Sequence, residues 1–331
     1  MPQFIIGNAM KETADKYPAV RNAIWLIEAA VFKLFFGFIG LLPIETASRL
    51  GQRITMIIGP KLKKHKTFRK NIERAFPEKT PAERENILRG IWGNVGSVIG
   101  EFPHLQTICH DEKYKRLKIA VAGQIEALQK PGNPVIIVSA HLSNWEVAGA
   151  AVAQMGIPCA DAYTPMGNPW LDRMIARYRE TLGVELFARA ESMRPMVKRL
   201  ASGQSLAFFV DQRVDNGQSV PFMGMDKMTT VVPAKLGLRF NCEIVPIRVE
   251  RLADAQYLAT FYPPVEPDDK AAPEKEKIIQ ITRKINAVMG EWVRDHPEEW
   301  FPSKRRWDKL DAPEFNKLSS YAGSKTSHVT D

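Results

Sequence analysis

Between Pro134 and Val249, short β-branched apolar runs alternate with stretches of helical periodicity, and few folds accommodate that alternation. Residues 135–139 read as a buried strand, followed after a polar turn by a helix-like segment. Leu171 to Leu182 reads as a helix stopped at Gly183, Val184 to Phe187 as a strand, and Glu191 to Leu200 as a helix ending near Gly203. Ser205 to Val210 is an apolar strand that runs into Asp211, Gln212, Arg213 and a Gly-containing loop. Thr229 to Phe240 has helical spacing, Glu243 to Val249 is a strand, and Tyr257 to Tyr262 is expected to add an edge strand. The amphipathic stretch from Glu274 to Arg294 is a long helix. Strands alternating with helices predict an α/β fold, a mixed central sheet flanked by helices. In such sheets ligands bind beyond the carboxyl ends of the strands, so the residues that follow each strand matter most.

The N-terminal third is different. Ile24 to Leu42 is mostly apolar but interrupted by Glu28 and Lys33, so its uninterrupted piece falls short of the roughly 20 residues a transmembrane span needs. Arg49, Arg53, Lys61, Lys63, Lys64 and Lys66 follow it, a basic flank that suits an anionic lipid surface. Residues 1–60 are therefore expected to associate with a membrane, residues 61–310 to form the main domain, and residues 311–331 to be a polar, flexible tail. Between Phe68 and Gly100, Thr80 and Pro81 mark a helix start. Gly93, Gly96 and Gly100 leave room on that helix for a close neighbour, either another element or an acyl chain.

Charge narrows the partners. Lys and Arg number 46 against 37 Asp and Glu, a net charge of +9. That favours an anionic partner, but no zinc-finger spacing or aromatic-basic signature accompanies it, so nucleic acid is not expected. The three cysteines, Cys109, Cys159 and Cys242, form no CxxC pair, and no His/Cys cluster has metal-ligand spacing. No P-loop and no Gly-x-Gly-x-x-Gly follows a strand. Neither a metal nor another cofactor is expected.

Of the six histidines, His141 stands alone at a strand-to-helix junction; His65, His104, His110, His296 and His328 lie in polar or terminal contexts. An imidazole accepts a proton near neutral pH, and a carboxylate beside it fixes its tautomer. Glu146, five residues on, is the candidate orienting partner. The same residues have a purely structural reading: with Ser143 as N-cap, Ser-Asn-Trp-Glu is a capping box that uses the Glu146 carboxylate at the backbone.

His141-Leu-Ser-Asn-Trp-Glu146 resembles the histidine-four-residue-acid motif of glycerolipid-type acyltransferases. Further matches follow in order: Tyr163-Thr-Pro-Met-Gly-Asn168-Pro169-Trp-Leu-Asp172, Arg179, Phe209-Val-Asp211-Gln212, Ile244-Val-Pro246-Ile, and His296-Pro297-Glu-Glu-Trp300 through Arg305-Arg306-Trp307. Together they resemble the late acyltransferases of lipid A biosynthesis, the lauroyl and myristoyl transferases, over nearly the whole chain. Two departures stand out. Thr164 occupies a position where the family pattern has Arg, a contact that Arg173, Arg177 or Arg179 would have to replace. The segment between Trp300 and Arg306 is also less aromatic than the pattern.

The resemblance implies an O-acyltransferase at the cytoplasmic face of the cell inner membrane. Acyl carrier protein would donate the acyl group, and a hydroxyl of an anionic lipid A precursor would accept it. His141 would be the base and Glu146 its partner, with Arg179, Asp211, Arg213, Asn168 and Asp172 as candidate substrate contacts. Two alternatives stay open: an acyl-CoA-dependent enzyme acting on a phospholipid, glycolipid or aminolipid, and a non-enzymatic membrane-binding protein.

Overall fold

The computed structural model describes residues 11–123, 133–188 and 193–307. The start of the helix expected from Glu191 and the tail at 311–331 lie outside the described residues. In chain order the elements are α1 (Lys11–Lys16), α2 (Pro18–Gly40), α3 (Ile44–Ile58), α4 (His65–Ala75), α5 (Pro81–Glu101), α6 (Leu105–His110), β1 (Leu117–Val121) and β2 (Ile136–Ser139). There follow α7 (Val147–Gln154), β3 (Cys159–Tyr163), α8 (Pro169–Glu180), β4 (Glu185–Ala188), α9 (Arg194–Ala201) and β5 (Ser205–Phe209). The chain continues through β6 (Gln218–Phe222), β7 (Met225–Thr229), α10 (Val232–Phe240), β8 (Ile244–Ala253), β9 (Gln256–Phe261) and α11 (Glu274–Asp295).

Seven strands form one sheet in the order β1-β9-β8-β2-β5-β3-β4, parallel throughout except for the β8–β9 pair. The expected mixed α/β architecture is therefore present. Because the central strands are covered on both faces, their side chains alternate between two cores rather than between core and water. Ile136 and Val138 of β2 join the core made with α5, α10 and α11, whereas Ile137 joins Val245 and the α7 side chains Val147, Ala148 and Val152. The second face is the one on which the cavity described below opens.

Two strand expectations need correction, and β1 and β3 escape a hydrophobic reading. β9 is not at the edge: β1, whose pattern Leu-Lys-Ile-Ala-Val is too polar to stand out, pairs outside it. β3, Cys-Ala-Asp-Ala-Tyr, carries a charged residue in its centre and also escapes a hydrophobic reading. The region after Arg213 is a β-hairpin rather than a plain loop, β6 and β7 turning at Met223 and Gly224, both at positive φ. Thr229 consequently belongs to β7, and the following helix starts at Val232.

The glycine stripe of α5 meets protein. A Cβ on Gly96 would collide with Thr55 and the Gly51 backbone, and one on Gly100 with the Ala47 carbonyl, so α3 lies backbone-close against α5. Thr80 and Glu83 form the capping box that starts α5.

α2 is long and apolar enough to cross a membrane by length and composition, and only 17% of its most apolar stretch is buried. One side, with Ile24, Glu28, Phe36 and Ile39, is buried. Leu26, Ile27, Leu34, Phe38 and Leu41 are exposed, as are Ile54, Ile57 and Ile58 of α3.

Candidate active site

β2 and β5 are parallel neighbours with Ser139 opposite Phe209. Two residues further along each strand, the same register sets His141 opposite Asp211. The consequence is a hydrogen bond of 2.7 Å between His141 Nδ1 and Asp211 Oδ1, formed by residues 70 apart in sequence. Trp300 donates its indole N–H to the other carboxylate oxygen at 3.0 Å. Burial works to raise the Asp211 pKa, but the charge of His141 and the hydrogen bonds from His141 and Trp300 outweigh it and hold the group below the usual carboxylate range. An ionised carboxylate only accepts, so Nδ1 carries the ring proton and Nε2 is left as the basic nitrogen. The ring of Phe209 lies 4.7 Å from the imidazole, centroid to centroid, and Gln212 Nε2 approaches both ring nitrogens at 3.4 Å.

The partner that the geometry gives His141 thus corrects the expectation of Glu146. Glu146 instead takes a two-pronged ion pair from Arg179 of α8, with Nε donating to Oε2 at 2.8 Å and Nη2 to Oε1 at 2.6 Å. The capping box at Ser143 does not form either. Ser143 is at positive φ and buried, α7 starts only at Val147, and Glu146 makes no side-chain cap. The loop has other anchors: Phe301 N–H donates to the His141 carbonyl at 2.8 Å, Ser143 N–H donates to the Glu299 carbonyl at 2.9 Å, and Asn94 donates to the Ser143 carbonyl at 2.9 Å. These tie the turn to the segment after α11 and to α5, so the turn follows tertiary contacts rather than local helix chemistry.

Asn144 extends the anchoring into a buried polar network. Its side chain donates to Glu101 Oε2 at 2.9 Å, and Glu101, fully buried, also receives Ser48, Tyr257 and an ion pair from Arg251. Arg251 in turn reaches Asn94 at 3.2 Å.

A cavity of about 370 Å³ opens beside the imidazole, within the range of small-ligand sites. At its mouth are His141, Trp145, Glu146, Tyr163, Thr164, Arg179, Gln212, Arg213 and Lys304; Ile137, Val152, Cys159, Leu182, Val184, Ala207 and Ile247 supply apolar wall. The sequence candidates divide accordingly. His141, Glu146, Arg179 and Arg213 line the cavity, and Asp211 supports it from behind. Asn168 and Asp172 are committed elsewhere. Asn168 caps α8 through Oδ1 and donates through Nδ2 to the Trp25 carbonyl and Glu28 of α2. Asp172 accepts from the Tyr163 hydroxyl and the Met166 N–H, fixing the loop before α8. Of the three arginines considered as substitutes for a basic group at Thr164, Arg179 lines the cavity, while Arg173 stacks on Trp170. Among the described residues, no group of three or more His, Cys, Asp or Glu side chains is placed to hold a metal.

Sequence reasoning passed over Lys304 and Asp161. Burial in the cavity wall pushes the Asp161 carboxyl up to about 6, with Arg179 opposing, Glu146 adding to the rise and His141 opposing. Below the unfolded value, near 3.8, the residue is protonated in both states and costs nothing; between there and about 6 the unfolded chain ionises while the folded protein holds the proton, so the penalty builds over that window and is complete above it. Asp161→Asn is therefore expected to stabilise the unliganded protein by on the order of 2–3 kcal/mol at pH 8, shrinking towards zero near pH 4. Urea titrations at the two pH values measure this, and equal stability at pH 8 would contradict it.

With the geometry in view, the sequence comparison is decisive: the profile of the bacterial lipid A biosynthesis acyltransferases matches residues 12–309. The chain belongs to this family. A lipid A biosynthesis acyltransferase of Haemophilus influenzae is 23% identical over 84% of this chain and 85% of its own length. The lipid A biosynthesis palmitoleoyltransferase of Escherichia coli is 22% identical over 80% and 86%. A phosphatidylinositol mannoside acyltransferase of Mycolicibacterium smegmatis is 18% identical over 72% and 78%. Membership of the family makes the chain an acyltransferase.

Proposed function

We propose that the protein moves a fatty acyl group from an acyl carrier protein thioester to a hydroxyl of a lipid A precursor, forming an acyloxyacyl ester. The observation that carries the reading is the His141–Asp211 pair at the mouth of a cavity with apolar walls. His141 Nε2 takes the proton of the acceptor hydroxyl as its oxygen attacks the thioester carbonyl. The tetrahedral intermediate collapses with cleavage of the C–S bond, and the imidazolium returns the proton to the departing thiolate. Ester and free thiol result, and no protein nucleophile is required. Asp211 stays ionised throughout, stabilising the imidazolium. Glu146 acts by holding Arg179 at the mouth, where Arg179, Arg213 and Lys304 offer positive charge to the phosphates of either substrate.

The exposed apolar side chains of α2 and α3, next to Lys61, Lys63, Lys64 and Lys66, support attachment to an anionic leaflet, here the cytoplasmic face of the inner membrane. The likeness to a phosphatidylinositol mannoside acyltransferase keeps a glycolipid acceptor as the second reading.

Acyl carrier protein and CoA thioesters of one chain, offered to the detergent-solubilised enzyme with a lipid A precursor or a phosphatidylinositol mannoside, separate these readings. The expected product is the lipid A precursor heavier by one acyl group, formed at least tenfold faster from the carrier protein. Equal rates with CoA would refute the donor assignment, and modification of the mannoside alone would refute the acceptor.

A further inference from the structure

The cavity wall holds a group that the transfer chemistry does not use. Asp161 lies in the middle of β3, where the register places it beside Ala207 of β5, itself beside Ile137 of β2. Ile137 and Ala207 are apolar lining of the cavity, and Asp161 lines it with them. Its flanking wall is Cys159, Leu186, Val184 and Ala162. An acid in such a row is costly, because a straight hydrocarbon chain filling the cavity would strip water from the carboxyl and offer it nothing in return.

Partners within the protein do not remove that cost. Ala162's backbone N–H favours the ionised form, but Arg179, which lines the same cavity, already gives two of its N–H groups to the Glu146 carboxylate. No ion pair or side-chain hydrogen bond to Asp161 occurs among the contacts of the described residues. Asp161 shares the cavity lining with His141, Glu146 and Arg179, and the register sets it level with Ile137, four residues before His141 along the parallel strands, beside the body of a bound chain.

We infer that Asp161 is a hydroxyl-recognition subsite, selecting donor acyl chains that carry a hydroxyl along their length. This rests on the reading of the cavity as the donor-chain site. A chain hydroxyl donates to the ionised carboxylate, or accepts from the protonated one, in either case replacing the water lost on binding. Sites built around a buried polar group discriminate strongly against ligands that lack its partner, more so than a hydrophobic pocket discriminates by a methylene.

The test pairs donors that differ only in the hydroxyl: dodecanoyl thioester of acyl carrier protein against its 3-hydroxy and 6-hydroxy counterparts, each offered to the full-length enzyme with one acceptor. At least one hydroxyacyl donor is expected to exceed the unsubstituted one in kcat/KM by tenfold or more. Asp161→Leu should abolish or reverse the ratio, and Asp161→Asn, which keeps a hydrogen-bonding group, should retain most of it. A binding readout independent of turnover is the thermal shift given by 3-hydroxydodecanoate and 6-hydroxydodecanoate over that given by dodecanoate, which should vanish in Asp161→Leu. A wild-type enzyme that treats all three donors alike, or a ratio unchanged by Asp161→Leu, overturns the inference while leaving acyl transfer intact. Transfer from none of the donors, with equal thermal shifts from the three acids, overturns both the subsite and the function on which it rests. If the preference instead follows a hydroxyl on the acceptor chain, seen by exchanging acceptors with and without one, the donor assignment of Asp161 fails.

Discussion

Asp211→Asn is expected to lower kcat by about 10²–10⁴ with little change in KM. The amide preserves the size of the side chain but no longer offers the same full negative charge to His141 Nδ1–H. An Asn that turns its NH₂ towards Nδ1 selects the opposite tautomer, with the proton on Nε2, and the nitrogen facing the acceptor ceases to be a base. Trp300 holds the other carboxylate oxygen at 3.0 Å, which favours that orientation of the amide only if its oxygen stays towards the indole. Because the two residues act as a unit, combining Asp211→Asn with His141→Ala should cost no more than His141→Ala alone. Steady-state kinetics of the two single variants and the double variant check this; additive losses would mean that Asp211 acts elsewhere.

The identity of that partner could not be read locally. Glu146 is five residues from His141, and the strand-turn-helix pattern made it the natural choice. The turn, however, is bent by Ser143 at positive φ and fastened to Glu299 and Phe301, which leaves the Glu146 carboxylate to Arg179. Asp211 was visible as the polar end of an apolar strand, but its use depends on β5 lying beside β2 with Ser139 opposite Phe209. That register is a property of the sheet and not of either strand alone.

The fold was legible where one physical signal dominates. The 3.6-residue periodicity of α11 and the continuous apolar runs of β2 and β5 were sufficient. β3 was obscured by Asp161, an acid that interrupts an otherwise apolar run. The β6–β7 hairpin was obscured because Pro221 and Lys227 lie inside its strands and its turn uses Met223 at positive φ with Gly224. The stripe of glycines on α5 points first to tight helix packing, but the sequence does not say which element approaches; α3 is that element.

The largest expected loss of stability follows from Glu101→Ala. The residue is fully buried, and its removal leaves Arg251 charged among Asn94 and Tyr257 with its main counter-ion gone. Breaking a buried ion pair from one side costs about 3–5 kcal/mol, because the remaining charge is desolvated and unpaired. Ser48, Tyr257 and Asn144 lose their acceptor as well. Asn144 lies three residues after His141, so activity should fall more than stability alone explains at temperatures where the variant remains folded. Glu101→Gln keeps an acceptor and should destabilise less. Denaturant titration monitored by the buried tryptophans measures both variants, and a change below about 1 kcal/mol for Glu101→Ala would show that the network adds little beyond packing.

The central claim is that His141 is the base of acyl transfer. Its most direct measurement is the single-turnover rate of acyl transfer from acyl carrier protein thioester to lipid A precursor by His141→Ala, with unchanged thermal unfolding as proof that the variant is folded. The expected rate is at least about 10³-fold below wild type. A folded His141→Ala enzyme that retains a tenth or more of the wild-type rate would contradict it.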